Sequence, residues 1–121
     1  MERAQLAVFE DDSSHRQLIK EVALIYGHEV VLGVDSLRFA LDALQLITEQ
    51  RLKIDAYILD ANLGADRDGR DARLIAQRMD ELGLPGLRIG YSAEPYPVPV
   101  DFDAQKDAFK AMDFISEHSD E

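Results

Sequence analysis

Four acidic residues carry the chemistry open to this chain: Glu10, Asp11 and Asp12 close one short apolar run, Val8-Phe9, and Asp60 closes another, Tyr57-Ile58-Leu59. Such runs, followed by polar loop residues, have the pattern of buried parallel strands, and acids at the carboxyl ends of parallel strands can converge on one point. Converging carboxylates repel, so a cluster of them is stable only if some stay protonated or a cation sits among them. A donor set made of oxygen alone points to magnesium. Asp12 is the acid that best fits a simpler role, as a helix cap.

Composition narrows the function classes. The 121 residues suffice for a single domain. Thirteen basic against 24 acidic residues give a formal charge of −11, which argues against nucleic acid and anionic membranes as partners. Cysteine is absent, which excludes disulfides, a thiolate nucleophile and the usual zinc clusters. His15, His28 and His118 have no metal-ligand spacing and read as surface residues. No run of about 18 apolar residues occurs. Met1-Glu2-Arg3 leads straight into a strand rather than a signal segment, so a soluble, cytoplasmic protein is expected.

The elements that must position the acids alternate along the chain. Gln5 to Glu10 reads as a strand, then a helix capped by Ser13 and Ser14 with Leu18, Ile19, Val22, Ile25 and Tyr26 on its apolar face, ended by Gly27. Glu29 to Val34 reads as a second strand, followed by a helix from about Ser36, capped by Asp35 or Ser36 and carrying Leu37, Leu41, Leu44 and Ile47. Ala56 to Asp60 is a third strand, and Asn62 to Gly69 a polar loop. A helix with Leu74, Ile75, Met79 and Leu82 follows, closed by Gly83. Leu87 to Ser92 reads as a fourth strand, Val100 to Gln105 as a fifth, and Asp107 to His118 as a last helix with Ala108, Met112 and Ile115 inward. Strands alternating with helices imply an α/β fold with a doubly wound parallel sheet. For the flavodoxin-like order 2-1-3-4-5, the ligand-binding switch point lies between the first and third strands, which end in Glu10-Asp11 and Asp60.

At these residues the chain resembles the receiver domains of two-component response regulators, the CheY-like fold, over nearly its whole length. Leu6-Ala7-Val8-Phe9-Glu10-Asp11-Asp12, with Arg16 after it, is similar to the family's first strand and acidic pair. Tyr57-Ile58-Leu59-Asp60-Ala61-Asn62-Leu63 resembles the phosphoacceptor segment, and Asp68-Gly69 the Asp-Gly that often follows. Tyr91-Ser92-Ala93 resembles the fourth-strand end with its small hydroxyl residue, and Gln105-Lys106 the fifth-strand end with its lysine. The resemblance implies that Asp60 is the phosphoacceptor, that Glu10, Asp11, Asp60 and the backbone carbonyl of Asn62 place a magnesium ion, and that Ser92 and Lys106 bind the phosphoryl group. The residue types agree, because a carboxylate attacks phosphorus only if the repulsion between the two anions is offset, as a divalent ion and an ammonium do.

Three features depart from that pattern. Only residues 93 to 100 separate Ser92 from Asp101, and Pro95, Pro97 and Pro99 among them exclude a helix. The nine steps from Ser92 to Asp101, extended at roughly 3.1 Å each, reach about 28 Å, enough to span the length of a strand. A taut strap is therefore expected where receivers have their fourth helix, with Pro95, Tyr96, Pro97 and Pro99 as a partner surface. Asp101, Asp103 and Gln105 share one face of the fifth strand, so that face is expected to be uncovered and polar. Asp103 stands where many receivers carry an aromatic residue. Asp107 replaces the proline that usually follows the lysine, and a trans peptide is expected there.

The reading that follows is a single receiver domain, with no output domain, that accepts a phosphoryl group on Asp60 from a histidine kinase or histidine phosphotransferase and signals to an unknown downstream protein, with a homodimer allowed. Its chemistry would be limited to magnesium-dependent self-phosphorylation and self-dephosphorylation. The alternative is an interaction module on a receiver scaffold that works without phosphorylation. A true phosphatase is disfavoured because Asp60-Ala61-Asn62 lacks a second acid to serve as general acid.

Overall fold

The polypeptide chain follows the alternation read from its apolar runs. The structure, a computed structural model, describes residues 3–64 and 68–118; the central part of the Asn62 to Gly69 loop and the first two residues lie outside the described residues. In order the elements are β1 (Gln5–Phe9), α1 (Ser13–Ile25), β2 (Glu29–Val34), α2 (Leu37–Gln50), β3 (Ala56–Leu59), α3 (Arg70–Leu82), β4 (Leu87–Gly90), β5 (Phe102–Asp103) and α4 (Ala108–His118). The strands pair in parallel in the order β2-β1-β3-β4-β5.

Successive residues of a strand point to opposite faces, and here both faces are covered. Leu6, Val8, Ile58 and Ile89 pack with Ile19, Val22 and Ala23 of α1 and Ala108, Ala111, Met112 and Ile115 of α4. Ala7, Phe9, Tyr57 and Leu59 pack with Ala40, Leu44 and Ile47 of α2 and Ile75 and Met79 of α3. Burying β1 and β3 on both sides fixes their register, and with it the height at which their terminal acids emerge.

For the start of α1 the sequence offers two readings, a cap by Ser13 and Ser14 and a cap by Asp12, and the second holds. Asp12, not Ser13 or Ser14, caps α1, its carboxylate accepting from Ser14 N–H at 2.8 Å and His15 N–H at 3.1 Å. Ser36 caps α2, and the segment after α3 turns at Gly83 in a left-handed conformation, both as expected. The apolar stripe of α1 is narrower than its composition implies: Ile19, Val22 and Ala23 are buried, whereas Leu18 and Ile25 are exposed. A helix lying on one sheet face buries one stripe, and Leu18 and Ile25, seven residues apart and so on the same margin of that stripe, are left outside.

Residues 91–101 contain no helix, as their prolines dictate. The expectation of an uncovered polar face holds at Asp101 and Gln105, which are exposed, but not at Asp103, which the strap partly covers. The strap folds back over the α2 and α3 side of the sheet, and Tyr96 packs against the core there. Its ring occupies the space beside Gly90, where an added Cβ would lie 2.7 Å from Tyr96 Cδ1. Pro97 in turn sits against Gly69, at 2.9 Å from the position of an added Cβ. Both aspartates, Asp101 just before β5 and Asp103 within it, also find backbone partners: Asp101, though exposed, accepts from Arg88 N–H at 2.7 Å, and Asp103 from Tyr96 N–H at 3.1 Å and Gln105 N–H at 3.1 Å. Those bonds take up the polar atoms that β5, only two residues long, cannot offer a longer ladder.

Candidate functional site

Backbone pairing carries on one residue past the central strands and sets the site. Glu10 N–H donates to Val34 carbonyl at 3.0 Å, Asp60 N–H to Phe9 carbonyl at 2.8 Å, and Tyr91 N–H to Leu59 carbonyl at 2.8 Å. Glu10, Asp60 and the Tyr91-Ser92 pair therefore emerge side by side at the carboxyl edge of the sheet. They line a cleft of about 620 Å³ together with Asp11, Asp12, His15, Asn62, Ala93, Glu94 and Lys106.

Glu10, Asp60 and Ser92 are buried, whereas Asp11 lies exposed at the rim. One carboxylate oxygen from each of Glu10, Asp11 and Asp60 falls within 4.8 Å of the others. Burial, reinforced by Asp60, raises the Glu10 carboxyl above its ordinary value of 4.5. Desolvation and then Glu10 raise that of Asp11 above its ordinary 3.8. Both shifts describe an anionic cluster short of positive charge, which is the condition a hard divalent cation relieves. The donor set thus fits magnesium.

Positive charge also reaches the cleft from the protein. Lys106 Nζ pairs with Glu10, lies 3.5 Å from Asp60 Oδ2, and sits 4.9 Å above the centre of the Tyr91 ring. Arg16 donates to the Glu10 carbonyl at 2.8 Å, tying the first turns of α1 to the end of β1. Lys106 arrives on unusual backbone: Gln105 and Lys106 have φ of 53° and 62°, in the left-handed region. Two non-glycine residues there cost about 1–2 kcal/mol each. The strain is held by Asp103, which accepts from Gln105 N–H, and by Asp107 N–H, which donates to the Ala104 carbonyl at 3.0 Å. No cis peptide occurs among the described residues, so the bond after Lys106 is trans as expected.

Asn62 donates its N–H to Asp60 Oδ1 at 3.3 Å, and its carboxamide oxygen accepts from Gly69 N–H at 3.1 Å. Gly69, with φ of 78°, starts α3, and the contact with Pro97 leaves no room there for a side chain. The cleft, the start of α3 and the strap are thereby in mechanical contact. Within the strap Pro95, Pro97 and Pro99 are exposed, but Tyr96 turns inward, and its burial raises the phenol far above its ordinary value of 10.0. Its ring is spent on this domain's own sheet.

Two residues read as surface histidines have other places. His28 is buried, its Nδ1 accepting from Ala4 N–H at 3.0 Å and its Nε2 2.8 Å from Ser116 Oγ. His15 is half-buried at the cleft, its Nδ1 3.0 Å from the Tyr91 hydroxyl. Tyr91 itself is fully buried, and burial holds its phenol up at about 12. Neither tyrosine nor histidine carries a spacing that marks such a contact, since 76 residues separate them.

No protein-family model and no curated protein sequence matches the chain. Solved structures do. The response regulator receiver domain (CheY-like) from Methylobacillus flagellatus superposes with a TM-score of 0.68 at 20% identity, over 98% of this chain and 99% of that one. The N-terminal domain of a response regulator/sensory box/GGDEF three-domain protein from Carboxydothermus hydrogenoformans gives 0.62 at 20% identity, over 95% of this chain and 92% of that one. The chain has the receiver-domain fold.

Proposed function

We propose that this chain is a phosphoacceptor module of a two-component system, taking a phosphoryl group onto Asp60 from the phosphohistidine of a histidine kinase or histidine phosphotransferase. The observation that carries the reading is the setting of Asp60 at the end of β3, buried between the Glu10-Asp11 pair and the Lys106 ammonium. Phosphoryl transfer requires little beyond position and charge stabilisation, and this cleft offers both. An Asp60 carboxylate oxygen forms the new bond to phosphorus as the bond from phosphorus to the donor's imidazole nitrogen breaks, its electron pair leaving with the ring. Lys106 neutralises charge on the phosphoryl oxygens, and Ser92 donates a hydrogen bond to one of them. Glu10, Asp11, Asp60 and the Asn62 backbone carbonyl would hold magnesium, which when bound offsets the repulsion between carboxylate and phosphoryl group.

Incubation with magnesium and acetyl phosphate, followed by intact-mass measurement, tests this directly. Wild type is expected to gain one phosphoryl mass, and Asp60→Asn none. No gain in wild type, or an equal gain in both proteins, refutes the assignment.

A further inference from the structure

Lys106 stands beyond the last ladder bond of the sheet, Ala104 N–H to Gly90 carbonyl, on two successive left-handed residues. Its backbone brings it to the edge of the cleft, and the long, flexible side chain has still to be held there. The carboxylates it meets are poor anchors, because Asp60 and Glu10 change their charge and partners whenever a cation or phosphoryl group enters the cleft. The neutral surface beneath it is the face of Tyr91, with Nζ 4.9 Å from the ring centre. A ring face attracts an ammonium whatever the occupancy of the cleft. That ring is fixed twice: it is fully buried between α1 and α4, and its hydroxyl shares a hydrogen bond with His15, whose own ring meets it edge-on at 5.5 Å.

We infer that Tyr91, clamped by His15, is the positioning residue for Lys106, holding the ammonium over the cleft as the charges of its carboxylate partners change. The assignment rests on the proposed role of Lys106 in phosphoryl transfer, but the placement of the lysine can be read without any transfer taking place. His15 reaches Tyr91 from the first turn of α1, whose start is set by the Asp12 cap. The same helix start thus fixes the acidic end of β1 and the clamp on the lysine platform.

The test uses lysine side-chain nuclear magnetic resonance on the whole chain, which has four lysines, Lys20, Lys53, Lys106 and Lys110. The Lys106 signal is assigned by its loss in Lys106→Arg. Groups over an aromatic face are shielded, so in wild type the Lys106 ε-methylene is expected upfield of the other three. His15→Ala and Tyr91→Phe each remove the clamp and keep the ring. Both are expected to move the Lys106 signal toward the others and to slow phosphorylation by acetyl phosphate about three- to tenfold, the worth of one such contact. The double variant should be no slower than either single one, since both cut the same link. A Lys106 signal that is unshielded in wild type, or unchanged in both variants, overturns the positioning role. So does a double variant whose losses multiply. If wild type accepts no phosphoryl group, the functional reading fails, yet the shielding and its loss still decide the placement of Lys106.

Discussion

His28 joins the start of β1 to the end of α4, and its protonation state follows from its two partners. Ala4 N–H can donate only to an unprotonated Nδ1, so the proton of the neutral ring sits on Nε2 and faces Ser116 Oγ. Burial lowers its pKa below the ordinary 6.5. In the folded protein the ring stays neutral to lower pH than in the unfolded chain. As pH falls through about 6.5 the unfolded chain takes up the proton first, so stability is full above that point and declines below it. Thermal melts from pH 8 to pH 5 are expected to show a drop that His28→Gln reduces. Replacement by alanine at pH 8 should cost about 2 kcal/mol or more, because Ala4 N–H is left buried without an acceptor. An identical pH profile in wild type and His28→Gln would assign the decline to other groups. Nothing local in Gly27-His28-Glu29 announces this burial. The partner serine lies 88 residues away, and sequence reasoning has no access to that distance.

At the scale of elements, the strap is a packed part of the fold. Tyr96→Ala removes a half-buried ring that fills the space over Gly90 and should cost about 2 kcal/mol, less than truncating a fully buried aromatic side chain. Gly90→Ala is expected to destabilise as well, since its Cβ would meet the Tyr96 ring at 2.7 Å. The two changes share one space, so in urea melts the double variant should lose less than the sum of the singles. Strict additivity would mean that the ring does not occupy that site in solution. The absence of a helix in this connection was legible in Pro95, Pro97 and Pro99, whose backbone constraints need no tertiary information. The direction of Tyr96 was not, because an extended segment without periodicity carries no inside and outside. A glycine in β4 beside an aromatic residue in the strap was the available signal, legible only once the two are known to touch. The ends of β1 and β3 were legible for the opposite reason. Uniformly apolar strands must lie between two layers, and acids that end them must emerge at one edge. Lys106 could be assigned to the same edge, but the left-handed backbone that brings it there could not, since neither Gln105 nor Lys106 is of a type that favours it.

Over the whole molecule, a formal charge of −11 places the domain under self-repulsion, and five of the 24 acids line one cleft, three of them close enough together to share a cation. Any cation therefore stabilises the fold to some degree by screening, and a magnesium effect is informative only against that background. The cleft should add a term that screening cannot supply. There the Glu10 and Asp11 carboxyls are raised, so their deprotonation opposes folding at neutral pH and a bound divalent ion removes the opposition. By mass action the gain is about 1 kcal/mol when free magnesium is a few times its dissociation constant. For a domain of this size that corresponds to a rise in Tm of about 4 °C. Melts at constant ionic strength, with magnesium chloride exchanged against sodium chloride, isolate this contribution. Wild type should gain the few degrees and Asp11→Ala should gain close to none, while Asp113→Ala, which removes an acid on α4 outside the cleft, should respond as wild type does. An equal magnesium response in Asp11→Ala and wild type would reduce the effect to the general field of an acidic protein and remove the cleft as its binding site.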